Sequence, residues 1–377
     1  NDYDPLNPGA FLNRAIQVSY PPGSTFKPVT GMAALESGVA DAGKDYVNCK
    51  GAYWVAPYIK CWGVHGNVNY YSGMAGSCNV YFQEMGRRAG QESIVKIARE
   101  FGLGSKTGID LPYETAGLLP TVEWKRELNA LLTDRQYEAR RAEIEQKYQD
   151  LLEKAPDDKT RQSLEAQKKQ DVARLEAQYQ IDYNFNTKWQ PYDTFNMSIG
   201  EGYNEYTVLQ LANYAATIAN GGRLLQPYVV DRITAPDGRV IEQFSPRVVH
   251  RVEVSPQTLA QTKQAMLAVS EPGGTAYFLF NHFPDHIKVA AKTGTAQNRR
   301  SADGSSANYN GVFLAFAPFD NPEIAFAGVV EYGYHGSESA GLVARDVFEH
   351  YFGIKDHLSS EETVQEVAEN LSNIAVD

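Results

Sequence analysis

The stretch Pro21-Pro22-Gly23-Ser24-Thr25-Phe26-Lys27 constrains this chain more than any other. Two prolines fix the incoming backbone, Gly23 permits a sharp turn, and an apolar run at helical spacing follows (Phe26, Val29, Met32, Ala33, Leu35). The pattern predicts a helix that begins at or near Ser24 and stops at Ser37-Gly38, where glycine supplies a left-handed cap. In a regular helix Ser24 and Lys27 lie one turn apart on one face, so the amine can take the hydroxyl proton and make Ser24 a nucleophile. A single S-x-x-K is otherwise an ordinary helix surface. Ser93 to Lys96 is a second match, inside a helical pattern (Ile94, Val95, Ile97, Ala98, Phe101) with no turn before it, and reads as coincidence.

With 377 residues, 43% hydrophobic and 21% charged, the chain can bury a large core as one big domain or two lobes. A formal charge of −11, with no basic stretch carrying interleaved aromatics, argues against nucleic acid as a partner. No apolar run approaches the ~20 residues that span a bilayer, and no signal peptide opens the chain. The abrupt start Asn1-Asp2-Tyr3-Asp4-Pro5 leads us to expect a piece of a longer protein. Three cysteines exclude a disulfide-stapled scaffold.

Those cysteines are Cys49, Cys61 and Cys78, with His65 among them. The set C-x11-C-x3-H-x12-C offers three thiolates and one imidazole, which a tetrahedral structural zinc can use. The spacing is not that of a zinc finger. A Cys49–Cys61 disulfide with Cys78 buried as a small hydrophobe, or three unrelated thiols, remain open readings. Ser77-Cys78-Asn79 places a hydroxyl and an amide one residue apart on a loop ahead of a helical pattern (Val80, Tyr81, Phe82, Met85). S-x-N recurs at Ser306-Ala307-Asn308 in a polar loop, and either instance alone suits a turn.

K-T-G also occurs twice. Lys106-Thr107-Gly108 lies on a glycine-rich turn and reads as a decoy. Lys292-Thr293-Gly294 follows an alternating apolar run and precedes two strand patterns, Val312–Ala317 and Ile324–Val330. It is therefore expected on a strand of a predominantly antiparallel sheet, where Gly294 lets a ligand backbone approach without a Cβ in the way. A helix over Ala340–Tyr351 is expected to pack on that sheet, followed by a polar tail at about 359–377.

From Glu123 to Tyr183 the composition changes. These 61 residues hold no glycine, one proline (Pro156), and 26 charged residues, 14 acidic and 12 basic. Apolar residues recur at helical spacing (Tyr137, Ile144, Tyr148, Leu151, then Leu164, Val172, Leu175, Tyr179), and Ala155-Pro156-Asp157-Asp158 breaks the run with an aspartate fit to cap a helix. The prediction is an antiparallel helical hairpin with arms of about 25 residues, about 35–40 Å long. It reads equally as a docking arm or as a solvated insertion. Beyond it come a turn at Asn196–Gly202, a helix from Val208 to Ala219, strands at Tyr228–Ile233 and Arg239–Phe244 joined through Pro236-Asp237-Gly238, and a helix over 257–270.

In order along the chain, Ser24-x-x-Lys27, Ser77-x-Asn79 and Lys292-Thr293-Gly294 resemble the penicillin-binding protein and serine β-lactamase superfamily. Tyr20 to Pro28, Thr107-Gly108-Ile109-Asp110-Leu111-Pro112 and Ala290 to Gln297 resemble the class B, monofunctional transpeptidases, and within them the elongation-type penicillin-binding protein 2 group. The resemblance covers nearly all of the chain except the hairpin and Asn7–Asn13, where the group usually has more residues. It implies an α+β transpeptidase fold of the penicillin-binding/serine β-lactamase type, an antiparallel sheet flanked by helices plus an all-helical lobe. The domain would run over 1–377, with the hairpin inserted at about 123–183.

The same resemblance implies a DD-transpeptidase that cross-links peptidoglycan stem peptides and is acylated by β-lactams. In that reading Ser24 attacks, Lys27 takes its proton, and Ser77 and Asn79 relay protons and hold the peptide amide. Lys292, Thr293 and Thr295 bind the terminal carboxylate beside Gly294, and positive charge on Lys292 keeps Lys27 neutral. The oxyanion hole is formed by the N–H groups of Ser24 and Thr295. No cofactor is needed for the chemistry, although the group can carry a metal at positions matching Cys49, Cys61, His65 and Cys78. The resemblance further implies an N-terminal membrane helix outside this sequence, a domain on the extracytoplasmic face, and a membrane glycosyltransferase as partner. A class A β-lactamase is disfavoured because Lys125 stands where E-x-x-L-N requires glutamate. A DD-carboxypeptidase and a non-enzymatic β-lactam sensor are the alternatives.

Overall fold

The computed structural model describes residues 11–297 and 309–354. Part of Asn7–Asn13, the second S-x-N at Ser306-Ala307-Asn308 and the tail from 359 lie outside the described residues. Two compact units are present: Asn1–Leu119 together with Thr194–Asp377, and Pro120–Asp193.

The larger unit is built on a three-stranded antiparallel sheet in which Tyr309–Ala317 lies between Ala290–Gln297 and Ile324–Val330. The register sets Lys292 opposite Leu314 and Gly294 opposite Val312. The middle strand is buried from Asn310 to Ala317, as expected of a strand covered on both faces. Ala340–Phe352 and Val208–Ala219 both pack on this sheet. Val208–Ala219 starts where the sequence places it because Thr207 and Gln210 form a capping box, each side chain bonding the other's backbone N–H.

The helical part is centred on Lys27–Glu36, buried from Lys27 to Ala34, which packs against Asn79–Glu100. Its start differs from the expected one. Gly23–Phe26 is a 3₁₀ turn, and the α-helix begins only at Lys27. The cause is tertiary: Gly23 has φ +53°, its N–H donates to Gly200 O at 3.1 Å, and a Cβ there would lie 2.6 Å from Thr295 O. The turn is thus wedged between two distant backbones and tightened. Phe26 stacks on Tyr206 at 5.9 Å, and at the far end Gly38 adopts φ +69° as the sequence suggests.

In the smaller unit, Val122–Glu153 and Asp158–Thr187 run for 32 and 30 residues, or about 45–48 Å each, longer than predicted. Thr121 and Asp157 cap them, accepting from the N–H groups of Trp124 and Thr160. The apolar residues spaced along the arms are shielded, Tyr137 and Tyr148 buried and Ile144, Leu164, Val172, Leu175 and Tyr179 half-buried, and polar bonds cross between the arms beside them. Tyr137 donates to Asp182 at 2.5 Å, Tyr148 to Asp171 at 2.7 Å and Tyr179 to Asp134 at 2.7 Å, while Arg141 makes a forked pair with Glu176. From Tyr137 through Arg141 to Tyr148 the partner moves back from Asp182 through Glu176 to Asp171, so the helices are antiparallel. At the base, Lys125 and Asp193 form a buried ion pair at 2.5 Å.

The strands expected at 228–244 are shorter, Arg232–Thr234 pairing with Val240–Gln243, and the N–H groups of Val229 and Val230, expected in the first strand, go to Asp110 instead. A pair the sequence reading missed, Arg223–Gln226 with Arg247–Arg251, lies beside it in the chain. The decoy Lys106-Thr107-Gly108 is a structural turn. Glu114 accepts from Thr107 N (2.7 Å), Thr107 Oγ1 (2.5 Å) and Gly108 N (3.0 Å), while Asp110 accepts from the N–H groups of Val229 and Val230. Asn79–Glu100 is broken at Gly90 (φ +79°), so a turn does precede the other decoy, contrary to the expectation from sequence; there Lys96 faces solvent and pairs with Glu253. Glu114→Ala leaves three donors of that turn without their acceptor, and we expect it to cost about 2–3 kcal/mol in urea unfolding. A loss below 0.5 kcal/mol would show that water replaces the carboxylate freely.

Candidate active site

Five of the sequence-predicted residues converge. Lys27 and Lys292 are fully buried, one at the start of its helix and the other on the edge strand of the sheet. Lys27 Nζ donates to Ser77 O at 2.6 Å, Ser77 Oγ at 3.1 Å and Asn79 Oδ1 at 2.7 Å. Lys292 Nζ donates to the same Ser77 Oγ at 2.9 Å and to Thr293 O at 3.0 Å. Both lone pairs of the Ser77 hydroxyl are therefore occupied, and its proton is left to point elsewhere. Ser77 itself has φ +50°, a left-handed conformation that costs serine about 1–3 kcal/mol and is characteristic of functional sites. Asn79 opens the Asn79–Glu100 helix, one residue earlier than its apolar pattern indicates.

Half-buried Ser24 stands in the 3₁₀ turn, and the strand bearing Lys292 touches that turn. A Cβ on Gly294 would come within 2.9 Å of Pro22 O and 3.0 Å of Thr25 Cγ2. Only glycine permits this approach. The expected bond between Lys27 and the Ser24 hydroxyl is not formed; among the described residues the Lys27 ammonium bonds only to Ser77 and Asn79. The physical reason is saturation, since an ammonium has three hydrogens and three oxygens already receive them. Loss of the Lys27 proton removes a donor and leaves a lone pair, which is what accepting a proton from Ser24 requires.

Burial lowers Lys27 to about 8, against the opposing pull of Cys61, Cys78 and Glu201. Burial also takes Lys292 well below the ordinary lysine range, and the charge of Lys27 adds to that. Repulsion between the two amines is mutual, so it acts with burial to disfavour charge on both.

Further along the edge strand, Thr293 Oγ1 lies 2.9 Å from Thr275 Oγ1, and Thr295 Oγ1 lies 3.4 Å from His335 Nδ1. Neither Thr275 nor His335 was singled out in the sequence. Pro272-Gly273-Gly274 signals the turn that delivers Thr275, whereas His335 belongs to no motif.

Cys49, Cys61, His65 and Cys78 form a cluster behind Asn79, their ligand atoms all within 4.8 Å of one another. His65 Nδ1 is 3.5 Å from Cys49 Sγ and 3.4 Å from Cys61 Sγ. All three cysteines are free, so the Cys49–Cys61 disulfide is not formed. Ligands around a tetrahedral zinc lie about 3.8 Å apart, so the donor set and its spacing fit that ion. Hydrogen bonds from Cys78 and then His65 favour the Cys61 thiolate, while the same contact pushes the Cys78 thiol up. Cys61 Sγ also accepts from Asn79 N–H at 3.3 Å, joining the cluster to the lysines' site.

Residues 1–349 match the penicillin binding protein transpeptidase domain, and the chain belongs to that family. Among its relatives is the peptidoglycan D,D-transpeptidase MrdA of Acinetobacter baumannii, 30% identical over 366 residues, covering 90% of this chain and 43% of that protein. The MrdA of Escherichia coli K12 is 27% identical over 368 residues, covering 92% and 47%. The chain thus spans less than half the length of these curated relatives. Pseudomonas aeruginosa PBP2, solved with WCK 5153, superposes with a TM-score of 0.68 at 26% identity, covering 94% of this chain and 66% of that one. Helicobacter pylori PBP2, solved with MreC, gives 0.66 at 25% identity, covering 94% and 53%.

The depressed lysine has a thermodynamic signature. Its folded-state pKa lies below the unfolded value of about 10.4, so between these pH values the unfolded chain binds more protons and stability from Lys27 rises with pH. In urea unfolding between pH 8.5 and 9.5, Lys27→Met should lower the slope of stability against pH by about 1 kcal/mol per unit. An unchanged slope would mean that Lys27 titrates normally.

Proposed function

We propose that this domain is a serine DD-transpeptidase that cross-links peptidoglycan stem peptides. The observation that carries the reading is the Ser77 hydroxyl shared by Lys27 and Lys292, beside a turn that presents Ser24 to the edge strand. Ser24 Oγ attacks the carbonyl of the penultimate D-Ala and passes its proton to neutral Lys27. With a pKa of about 8, roughly a tenth of Lys27 is neutral at pH 7. That proton travels through Ser77 to the amine of the departing D-Ala as the peptide bond breaks. An acyl-enzyme remains, and an acceptor amine then attacks the ester, forming the cross-link and returning the proton to Ser24.

Asn79 holds the peptide amide, while Lys292, Thr293 and Thr295 bind the terminal carboxylate beside Gly294. Backbone N–H groups of Ser24 and Thr295 stabilise the oxyanion, each donor of this kind being worth about 10²–10³ in rate. β-Lactams acylate the same serine. Cys49, Cys61, His65 and Cys78 hold a structural zinc, which supplies no chemistry to the reaction and fixes the backbone that carries Ser77 and Asn79.

By likeness to the MrdA relatives, the domain works on the extracytoplasmic face of the membrane, tethered by a helix outside this sequence. No helix among the described residues is long and apolar enough to cross a membrane. Its partner is the membrane glycosyltransferase of the elongation machinery, a reading supported by the similar fold in a peptidoglycan synthase complex that coordinates polymerization and crosslinking. The transpeptidase domain runs over 1–377 with the hairpin as an insertion.

Intact-mass analysis after incubation with benzylpenicillin should show one added drug mass on the wild type and none on Ser24→Ala. An adduct on the alanine variant would remove Ser24 from the reaction. Cys61→Ser should reduce bound zinc, lower Tm by several degrees and slow penicillin acylation. Unchanged zinc content and Tm would dismiss the metal site.

A further inference from the structure

In a chain with 46 acidic residues and a net charge of −11, the 38 residues from Tyr46 to Gln83 contain no aspartate or glutamate. They do contain Lys50, Lys60 and the Ser77-Cys78-Asn79 motif. Within them the loop from Gly51 to Val64 folds back on itself. Cys61 N–H donates to Gly51 O at 2.9 Å, Tyr53 N–H donates to Ile59 O at 3.0 Å, and Ala52 and Lys60 form an antiparallel bridge. Lys60 O accepts from Asn79 Nδ2 at 3.1 Å, so the loop is continuous with the site.

Tyr53 is buried, but three of its large side chains face solvent: Trp54 is 54% exposed, Tyr58 63% and Trp62 68%. Single exposed aromatics are ordinary on a soluble surface, but one loop bonded to Asn79 carries three. The loop is held in shape. Trp62 Nε1 donates to Gly76 O at 2.9 Å, its ring lies edge-on to His65 at 4.8 Å, and Tyr58 is held at φ +58°. Neither Lys50 nor Lys60 forms an ion pair among the described residues, and both are exposed. A divalent ion on three thiolates would add one negative charge beneath the loop and leave these two ammoniums on its surface.

An aromatic edge fixed before binding loses little entropy when a ligand lies on it. Unpaired cations on a loop with no carboxylate of its own draw in and orient anions. We infer that the Gly51–Val64 loop binds the part of the donor peptide that precedes the scissile D-Ala-D-Ala, and that it selects acidic peptides, Lys60 pairing with a carboxylate and Trp62 lying against the chain. This rests on the reading in which Ser24 is acylated and Asn79 holds the peptide amide.

Two pentapeptide thioesters of the same length and D-alanyl end, one with free carboxylates upstream and one with them amidated, test it. The wild type should turn over the acidic peptide with a kcat/KM about fivefold higher at low ionic strength, and 0.5 M NaCl should erase most of the difference. Lys60→Glu should invert the preference, a result that a merely folding role for Lys60 does not produce. Trp62→Ala should raise KM for both peptides relative to a minimal acetyl-D-alanyl thioester, and Trp62→Phe should restore it. Equal turnover of the two peptides by the wild type, or a ratio unmoved in Lys60→Glu, overturns the inference while leaving the Ser24 reading intact. Absence of any acyl-enzyme on the wild type refutes the Ser24 reading and this inference with it.

Discussion

Two lysine amines donate to one serine oxygen, both without solvent exposure. Burying one ammonium costs several kcal/mol, and burying two side by side adds their repulsion. Such an arrangement persists only where the surrounding elements are held by contacts of their own. Here the first lysine is anchored by a helix buried along most of its length, the second by an eight-residue ladder with the central strand, and the serine by the start of a long helix. The strain at Ser77 belongs to the same account. Its left-handed backbone aims Oγ between the amines, and Cys78 N–H donating to Gly73 O helps hold it there.

Behind this triangle the cysteine and histidine cluster is part of the site rather than a separate feature. Cys78 stands between Ser77 and Asn79 and caps the helix that Asn79 begins, while Cys61 receives the Asn79 N–H. The side-chain amide is oriented by its own Nδ2, which donates to Lys60 O and so turns Oδ1 toward Lys27. Structural and catalytic demands on residues 61 and 78 therefore coincide.

Much of this was legible in the sequence, for reasons that differ from residue to residue. Lys292 could be told from Lys106 because one triplet follows alternating apolar residues and the other sits among glycines, where it closes a turn on Glu114. Val208–Ala219 was readable to the residue because both of its ends carry local signals. The 3₁₀ turn at Ser24 was not, since it is imposed by Gly200 and Thr295, both far along the chain. Nor was the choice of Lys27 for Ser77 over Ser24, which depends on three acceptors converging from another helix. In the hairpin, absence of glycine announced the helices and the apolar spacing marked their facing sides, but which aspartate each tyrosine hydroxyl meets depends on how the arms align and carries no local signal. Thr275 and His335 escaped because a lone hydroxyl or imidazole in a loop carries no periodic or motif signal.

The bare-backbone contact between the serine turn and the edge strand joins positions separated by more than two-thirds of the chain. Contacts this remote in sequence are slow to form, and a ribosome delivers the early partner long before the late one. While the polypeptide is still being made, the turn with its serine has no wall to close against. The two halves of the candidate site can therefore meet only after the edge strand has been made, however early the first motifs emerge.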